Sequence, residues 1–271
     1  MVSSINTNPA ALAALQVLNA TGREADEVQF RITTGLKVGR PSDNDAIYSI
    51  SQNMRGEVSG LDAVATGLNA TVSVIDVAIA AGTSISDLML EMKEKAVAAL
   101  DRSLDTASRT ALQSDFAALR DQISNIVVNA EFGGTNLIGA SATDITVVAN
   151  PDGDIFTVSA QLMTVTTLNI QTISLNSTTN ATIALAAIEA ATNEVNQKLA
   201  RLGTRGKSLD IHSLFVGKLS DGMEIGIGNL VDADLAVESA RSQALSVKAQ
   251  LGIQSLAIAN EGPSRLLALF R

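Results

Sequence analysis

Residues 47–79 read IYSISQNMRGEVSGLDAVATGLNATVSVIDVAI, and within them Ile47, Ile50, Met54, Val58, Leu61, Val64, Leu68, Val72, Ile75 and Ile79 recur at steps of three and four. That spacing stacks side chains on one face of an α-helix. Proline occurs only at positions 9, 41, 151 and 263, so no missing amide or ring clash interrupts the run. The pattern predicts a helix over Asp45 to Leu100, roughly 80 Å long at the standard rise. So long a helix owes most of its stability to packing of its apolar face, and therefore requires a partner. Leu112, Phe116, Leu119, Ile123 and Ile126 mark a second helix over Thr106 to Asn129. Two antiparallel rods are expected.

Working outward, Leu12, Leu15, Leu18, Ala25, Val28 and Ile32 read as one helical face near the N-terminus, closed by Gly35 and Gly39-Arg40-Pro41. Ser42 or Asp43 is expected to cap the next helix. Residues 131–180 change texture and are rich in Gly, Ser, Thr and Asn. Ile145-Thr146-Val147-Val148 and Phe156-Thr157-Val158 flank Asn150-Pro151-Asp152-Gly153, a strand, turn, strand pattern that predicts a β-hairpin. Further strand is expected around Val165 to Leu175. Helical spacing returns with Ile183, Leu185, Ile188, Val195, Leu199 and Leu202. Gly222, Gly226 and Gly228 read as a flexible break. Asp232 or Asp234 would cap a last helix, in which Leu245, Ala249, Gly252 or Ile253, Leu256 and Ala259 follow heptad-like intervals. The chain closes on Leu266-Leu267-Ala268-Leu269-Phe270-Arg271. The fold class is mainly α: a long antiparallel helical bundle or coiled coil formed by both termini, with a small β-hairpin-containing insertion.

Composition narrows what such a fold can do. Of 271 residues 46% are hydrophobic but only 3% aromatic, with no Trp, so small side chains must supply packing that rings provide elsewhere. The net charge of −9 and the absence of a basic stripe argue against nucleic acid, because phosphate binding needs clustered positive charge. There is no cysteine, which removes disulfides, thiolate metal sites and cysteine nucleophiles. The opening Met1 to Pro9 lacks the charged and apolar regions of a Sec signal, and no run reaches the ~18 apolar residues of a membrane span. Export would need another route, and no membrane association is expected.

The chemical motifs present have plainer explanations. His212 is the single histidine, so a histidine metal cluster or a catalytic triad would have one candidate base. Asp43 with Asp45, Asp152 with Asp154, and Asp232 with Asp234 sit where caps and turns favour Asp, and no EF-hand pattern surrounds them. Ile225-Gly226-Ile227-Gly228 is half a dinucleotide loop, without its third glycine or preceding strand. No catalytic residue, cofactor or metal is expected, and the chain is expected not to be an enzyme.

Ser4-Ile5-Asn6-Thr7-Asn8 with Ala10 to Leu18, Arg31-Ile32-Thr33-Thr34-Gly35-Leu36-Lys37 and Ser42-Asp43-Asn44-Asp45-Ala46 resemble the opening signature of the bacterial flagellins. Gly228 to Ser239 and Leu267-Ala268-Leu269-Phe270-Arg271 resemble the closing signature. Ile75 to Gly82 and Phe215-Val216-Gly217-Lys218-Leu219 resemble the compact flagellins of alphaproteobacteria. The resemblance implies a core domain from residues 1–44 and 232–271. It implies a rod domain from 45–130 and 181–231, with 131–180 its β-rich, exposed, variable part.

It also implies a secreted subunit of the extracellular flagellar filament, which pairs with other flagellin subunits through coupled folding of its ends. The polymerisation interface expected on this basis comprises Ile5, Leu12, Leu15, Leu18, Val28, Ile32, Leu245, Ile253, Leu256, Leu266, Leu267, Leu269 and Phe270. An export chaperone on the C-terminal helix, the filament cap and the hook-filament junction proteins are the further partners implied. Leu90 to Val97 departs from the segment by which the animal innate receptor detects flagellins, with Glu91 where Arg is usual and Lys95 where Leu is usual. Poor activation of that receptor is expected.

Overall fold

The computed structural model describes residues 7–268, with side chains described from 7 to 261. Five helices and one hairpin follow in order: α1 (Pro9–Thr34), α2 (Asp45–Ala98), α3 (Thr106–Asn129), β1 (Ile145–Val148), β2 (Ile155–Val158), α4 (Thr178–Val231) and α5 (Leu235–Ala268). The chain is 73% helical, and its long terminal helices pack on each other. It divides into two compact units, one of residues 1–56 with 222–271 and one of residues 57–221.

In the central unit α2 and α4 run antiparallel. Asp62 accepts from the Ser220 hydroxyl at 3.4 Å, Asn69 from Ser213 at 3.0 Å, and Lys93 meets Glu189 at 2.8 Å near the far end. Gly82 of α2 and Gly206 of α4 face the opposite helix and permit the approach. A Cβ on Gly82 would stand 2.7 Å from Leu199 Cδ2, inside van der Waals contact. Helix α3 folds back along α2, fastened by the Arg109 guanidinium donating to Ala99 O at 2.7 Å and by Lys95 on Asp115 at 2.9 Å. Asp105 caps α3, its carboxylate accepting from the Ser108 amide. Leu68, Ile75, Ile85, Met89 and Met92 of α2 and Phe116 and Ile123 of α3 are fully buried. The apolar stripe of residues 47–79 thus becomes a core face within this unit, from Val58 onward.

The hairpin forms where the alternation placed it. Strands β1 and β2 pair antiparallel, Ile145 opposite Val158 and Val148 opposite Ile155, around a turn with Gly153 at φ 97°. Val147 points at Gly67 of α2, and His212 of α4 hydrogen-bonds Ala149 O at 2.8 Å, which seats the turn on the helices. The strand expected over Val165 to Leu175 is absent. Those residues form turns, with Leu168 N donating to Thr164 O, Ile170 N to Val165 O, and Asn169 at φ 55°. Leu168 and Ile170, then Ile173 and Leu175, are buried as two pairs each two residues apart, which imitates a strand without any ladder partner. The segment 131–180 is also less exposed than expected, since Leu137, Ile138, Met163 and Val158 lie fully inside.

Two further expectations are corrected. Asn44, not Ser42 or Asp43, occupies the cap of α2, its side chain accepting from Ile47 N at 3.0 Å. Asp43 instead accepts from Gly39 N and Arg40 N and closes the preceding turn. Gly222, Gly226 and Gly228 make no break either, for α4 runs through them to Val231. A helical glycine costs about 1 kcal/mol relative to Ala. Here Gly226 lets Met54 approach, its Cε 3.2 Å from where a Cβ would stand. The chain turns only at Asp232 to Asp234, and Asp234 then caps α5 by accepting from Ala236 N and Val237 N.

Candidate functional site

The two terminal helices form the site, because they leave apolar surface uncovered. Their pairing starts at a short backbone clasp. Gly35 ends α1 in the left-handed conformation, φ 72°, and its carbonyl accepts from Ala233 N at 2.8 Å, while Val231 O receives Lys37 N and Val38 N. Leu36 and Asp232 form the antiparallel bridge. From the clasp the helices run away side by side. Lys248 faces Glu24 at 3.8 Å, Gly252 lies against Leu18, and the Asn8 amide donates to Ala259 O at 2.7 Å.

A line of covered residues on α1 runs through Ala11, Ala14, Leu18, Thr21, Ala25, Val28 and Ile32, alternating steps of three and four. On α5 they are Glu238, Ser242, Leu245, Ala249, Gly252, Leu256 and Ala259. Both are heptad seams of coiled-coil type. Most members are small, which brings the helix backbones close and accounts for the scarcity of aromatics.

The residues expected at the interface divide three ways. Leu18, Val28, Ile32, Leu245 and Leu256 lie in the seam. Leu12, Leu15 and Ile253 point outward, 57%, 42% and 58% exposed. Ile5, Leu269 and Phe270, and the side chains of Leu266 and Leu267, lie outside the described residues. The single-face reading of Leu12, Leu15 and Leu18 therefore fails. Each step of three falls about 60° short of a full turn, so two in succession carry Leu12 some 120° away from Leu18. Sequence reasoning also missed Val17, Val237, Val247, Leu251 and Ile258, all more than half exposed. Their signal was present, since Val237, Ala244, Leu251 and Ile258 recur at intervals of seven and form one line beside the seam.

Among the described residues no group of three or more His, Asp or Glu is placed to hold a metal. A hollow of about 500 Å³ between the end of α3 and residues 134–143 is lined by small, uncharged side chains. His212 contacts the hairpin turn and stands 6.0 Å from Phe156 and 6.1 Å from Phe215, between ring centroids. Its ring is engaged in packing the hairpin. What the terminal helices offer is apolar surface along a helix pair, a geometry for association.

Fold and surface together define a helical structural protein whose two ends meet and present uncovered apolar faces. Residues 5–143 match the bacterial flagellin N-terminal helical region and residues 185–270 the bacterial flagellin C-terminal helical region. Flagellin FljM of Caulobacter vibrioides is 47% identical over the full length of this chain and 99% of its own. The flagellin of Brucella melitensis is 32% identical, with both chains fully covered. Among solved structures, Bacillus cereus flagellin superposes with a TM-score of 0.50 at 22% identity, over 54% of this chain and 85% of its own. A putative flagellar hook-associated protein from Vibrio parahaemolyticus reaches 0.60 at 15% identity, over 70% and 100%. The chain belongs to the bacterial flagellin family. It is a structural subunit of the flagellar filament, which is extracellular, and not an enzyme.

Proposed function

We propose that the α1–α5 pair is the polymerising part of the subunit, folding firmly only when its outward apolar faces are covered by neighbouring copies. The observation that carries this reading is the run of exposed Leu, Val and Ile on both terminal helices, from Leu12 at 57% to Ile258 at 69% exposed. Ordering backbone costs about 1–2 kcal/mol per residue. A two-helix pair with a narrow seam of small residues recovers little of that by itself, so the burial that settles its structure comes from association. The outward faces of α1 and α5 differ in sequence, so contacts between copies join unlike surfaces. Unlike contacts that fail to close by rotation extend into helical polymers.

The same reading assigns residues 1–44 and 232–271 to the core of the polymer, and 45–231 to a rod domain outside it. The chain is secreted unfolded, with an export chaperone covering α5 beforehand. At the filament's two ends the cap and the hook-filament junction proteins meet the same terminal helices. Absence of cysteine and scarcity of large rings suit transit of an extended chain.

Far-UV circular dichroism at equal concentration tests the proposal. Helix α1 has 26 residues and α5 has 34, so filaments should show a clear gain in helical signal over monomers. Electron microscopy should find long thin fibres in the sedimented fraction. Equal helicity in the two states would remove coupled folding, and absence of fibres would remove polymerisation.

A further inference from the structure

Glu238 is the one acidic residue in the α1–α5 seam, and it is only 7% exposed. It meets the Arg31 guanidinium at 3.3 Å, and Arg31 also binds Glu27 one turn earlier on α1. Arg31 Nε and Glu238 Oε2 are buried and meet no hydrogen-bond partner among the described residues. A buried pair left partly unsatisfied is poorly suited to stabilise a fold, because desolvation offsets much of the attraction. The best-attested use of such a group in a helical seam is to fix register.

The backbone clasp at Gly35 and Val231 holds one end of the pair, and the side chains of the seam must favour the same alignment beyond it. Ala11, Ala14, Ala25, Ala249, Gly252 and Ala259 are alike in size, so these positions do not distinguish one heptad alignment from the next, and a slide can also set apolar on apolar, as Leu18 on Leu245. A slide of seven residues one way brings Glu238 beside Glu24, and the other way sets Arg31 against Leu245. Each alternative desolvates a charge without an opposite partner. Both charges also suit their helix ends, Arg31 in the last turn of α1 and Glu238 in the first turn of α5. We infer that the Arg31–Glu238 pair is a register lock, selecting one antiparallel alignment of α1 with α5 from several that the small-residue seam would accept.

Cross-linking tests this, since the native chain has no cysteine. Leu18 and Gly252 adjoin in the observed alignment, so L18C/G252C should form an intrachain disulfide. L18C/A259C and L18C/L245C report the two slipped alignments. In the full-length parent, the first pair should outcompete either other by at least tenfold. In an R31L/E238L or R31Q/E238Q background that preference should fall to within about threefold, and the charge swap R31E/E238R should restore it. Unchanged preference in both neutral backgrounds would overturn the lock. So would loss of helix or of all cross-links without slipped products, which would assign the pair to stability alone.

Discussion

The two units of this chain solve the same problem differently. The twelve largest fully buried side chains, among them Phe116, Leu68, Met92 and Ile170, all lie in the central unit of residues 57–221. The terminal unit has Val28, Val38, Ile227, Val231 and Leu245 inside, and displays to solvent a series of Leu, Val and Ile longer than that. One unit has three helices and a packed loop segment around a common core. The other has the α1–α5 pair and the ends of α2 and α4, with a narrow seam of mostly small residues between α1 and α5. The difference teaches that apolar content alone does not make a self-sufficient unit; what matters is whether the chain supplies a second layer to cover it.

The comparison would break first at Phe116. Phe116→Ala removes a ring from the closed core and should cost about 3–5 kcal/mol, read as a lowered denaturation midpoint of the monomer. An unchanged midpoint would mean the central unit is not the stable one. L251Q/I258Q works in the opposite sense. It should leave that midpoint unaltered while raising the critical concentration for polymerisation at least tenfold in a sedimentation assay, because both side chains are more than half exposed.

Gly252 sharpens the contrast within the seam. A Cβ there would lie 3.3 Å from Leu18 Cδ1, the movable end of a side chain. Gly252→Ala should therefore assemble with a small change in critical concentration, whereas Gly252→Leu should abolish assembly by forcing the helices apart. Equal behaviour of the two would remove close approach as the role of the small residues.

The smallest effect concerns acid stability of the central unit. The Ser103 amide and hydroxyl hold the Asp101 carboxyl below its ordinary value of 3.8, and the Ser108 side chain and amide do the same for Asp105. A carboxyl depressed by folding adds stability above its unfolded pKa, which is lost as pH falls through the folded one. Titration from pH 5 downward should lower the monomer midpoint, and D101N/D105N should flatten part of that slope. Both groups are exposed, so the change should be slight.

Legibility in the sequence followed the number of turns a pattern spans. Helix α3 came out with the boundaries Thr106 and Asn129 read from Leu112 to Ile126, and β1 and β2 flank the expected turn. Local cues misled where one residue type serves two purposes. Gly222, Gly226 and Gly228 read as punctuation, but the helix runs through all three, and Gly226 serves close approach to Met54, about 170 positions away. Leu168 and Ile170, then Ile173 and Leu175, are spaced two apart like a strand, yet the amides of Leu168 and Ile170 bond within local turns, to Thr164 O and Val165 O.

The chain by itself determined its helices, its hairpin, its aromatic-poor packing and its membership of a family with signatures at both ends, because periodicity and short motifs are local properties. Which leucines of the terminal helices face each other and which face outward was decided only in three dimensions. Leu12 and Leu18 are alike in type and near in sequence, but the partner helix covers one and leaves the other bare. Coverage depends on where a distant segment lies, and that information no local spacing contains.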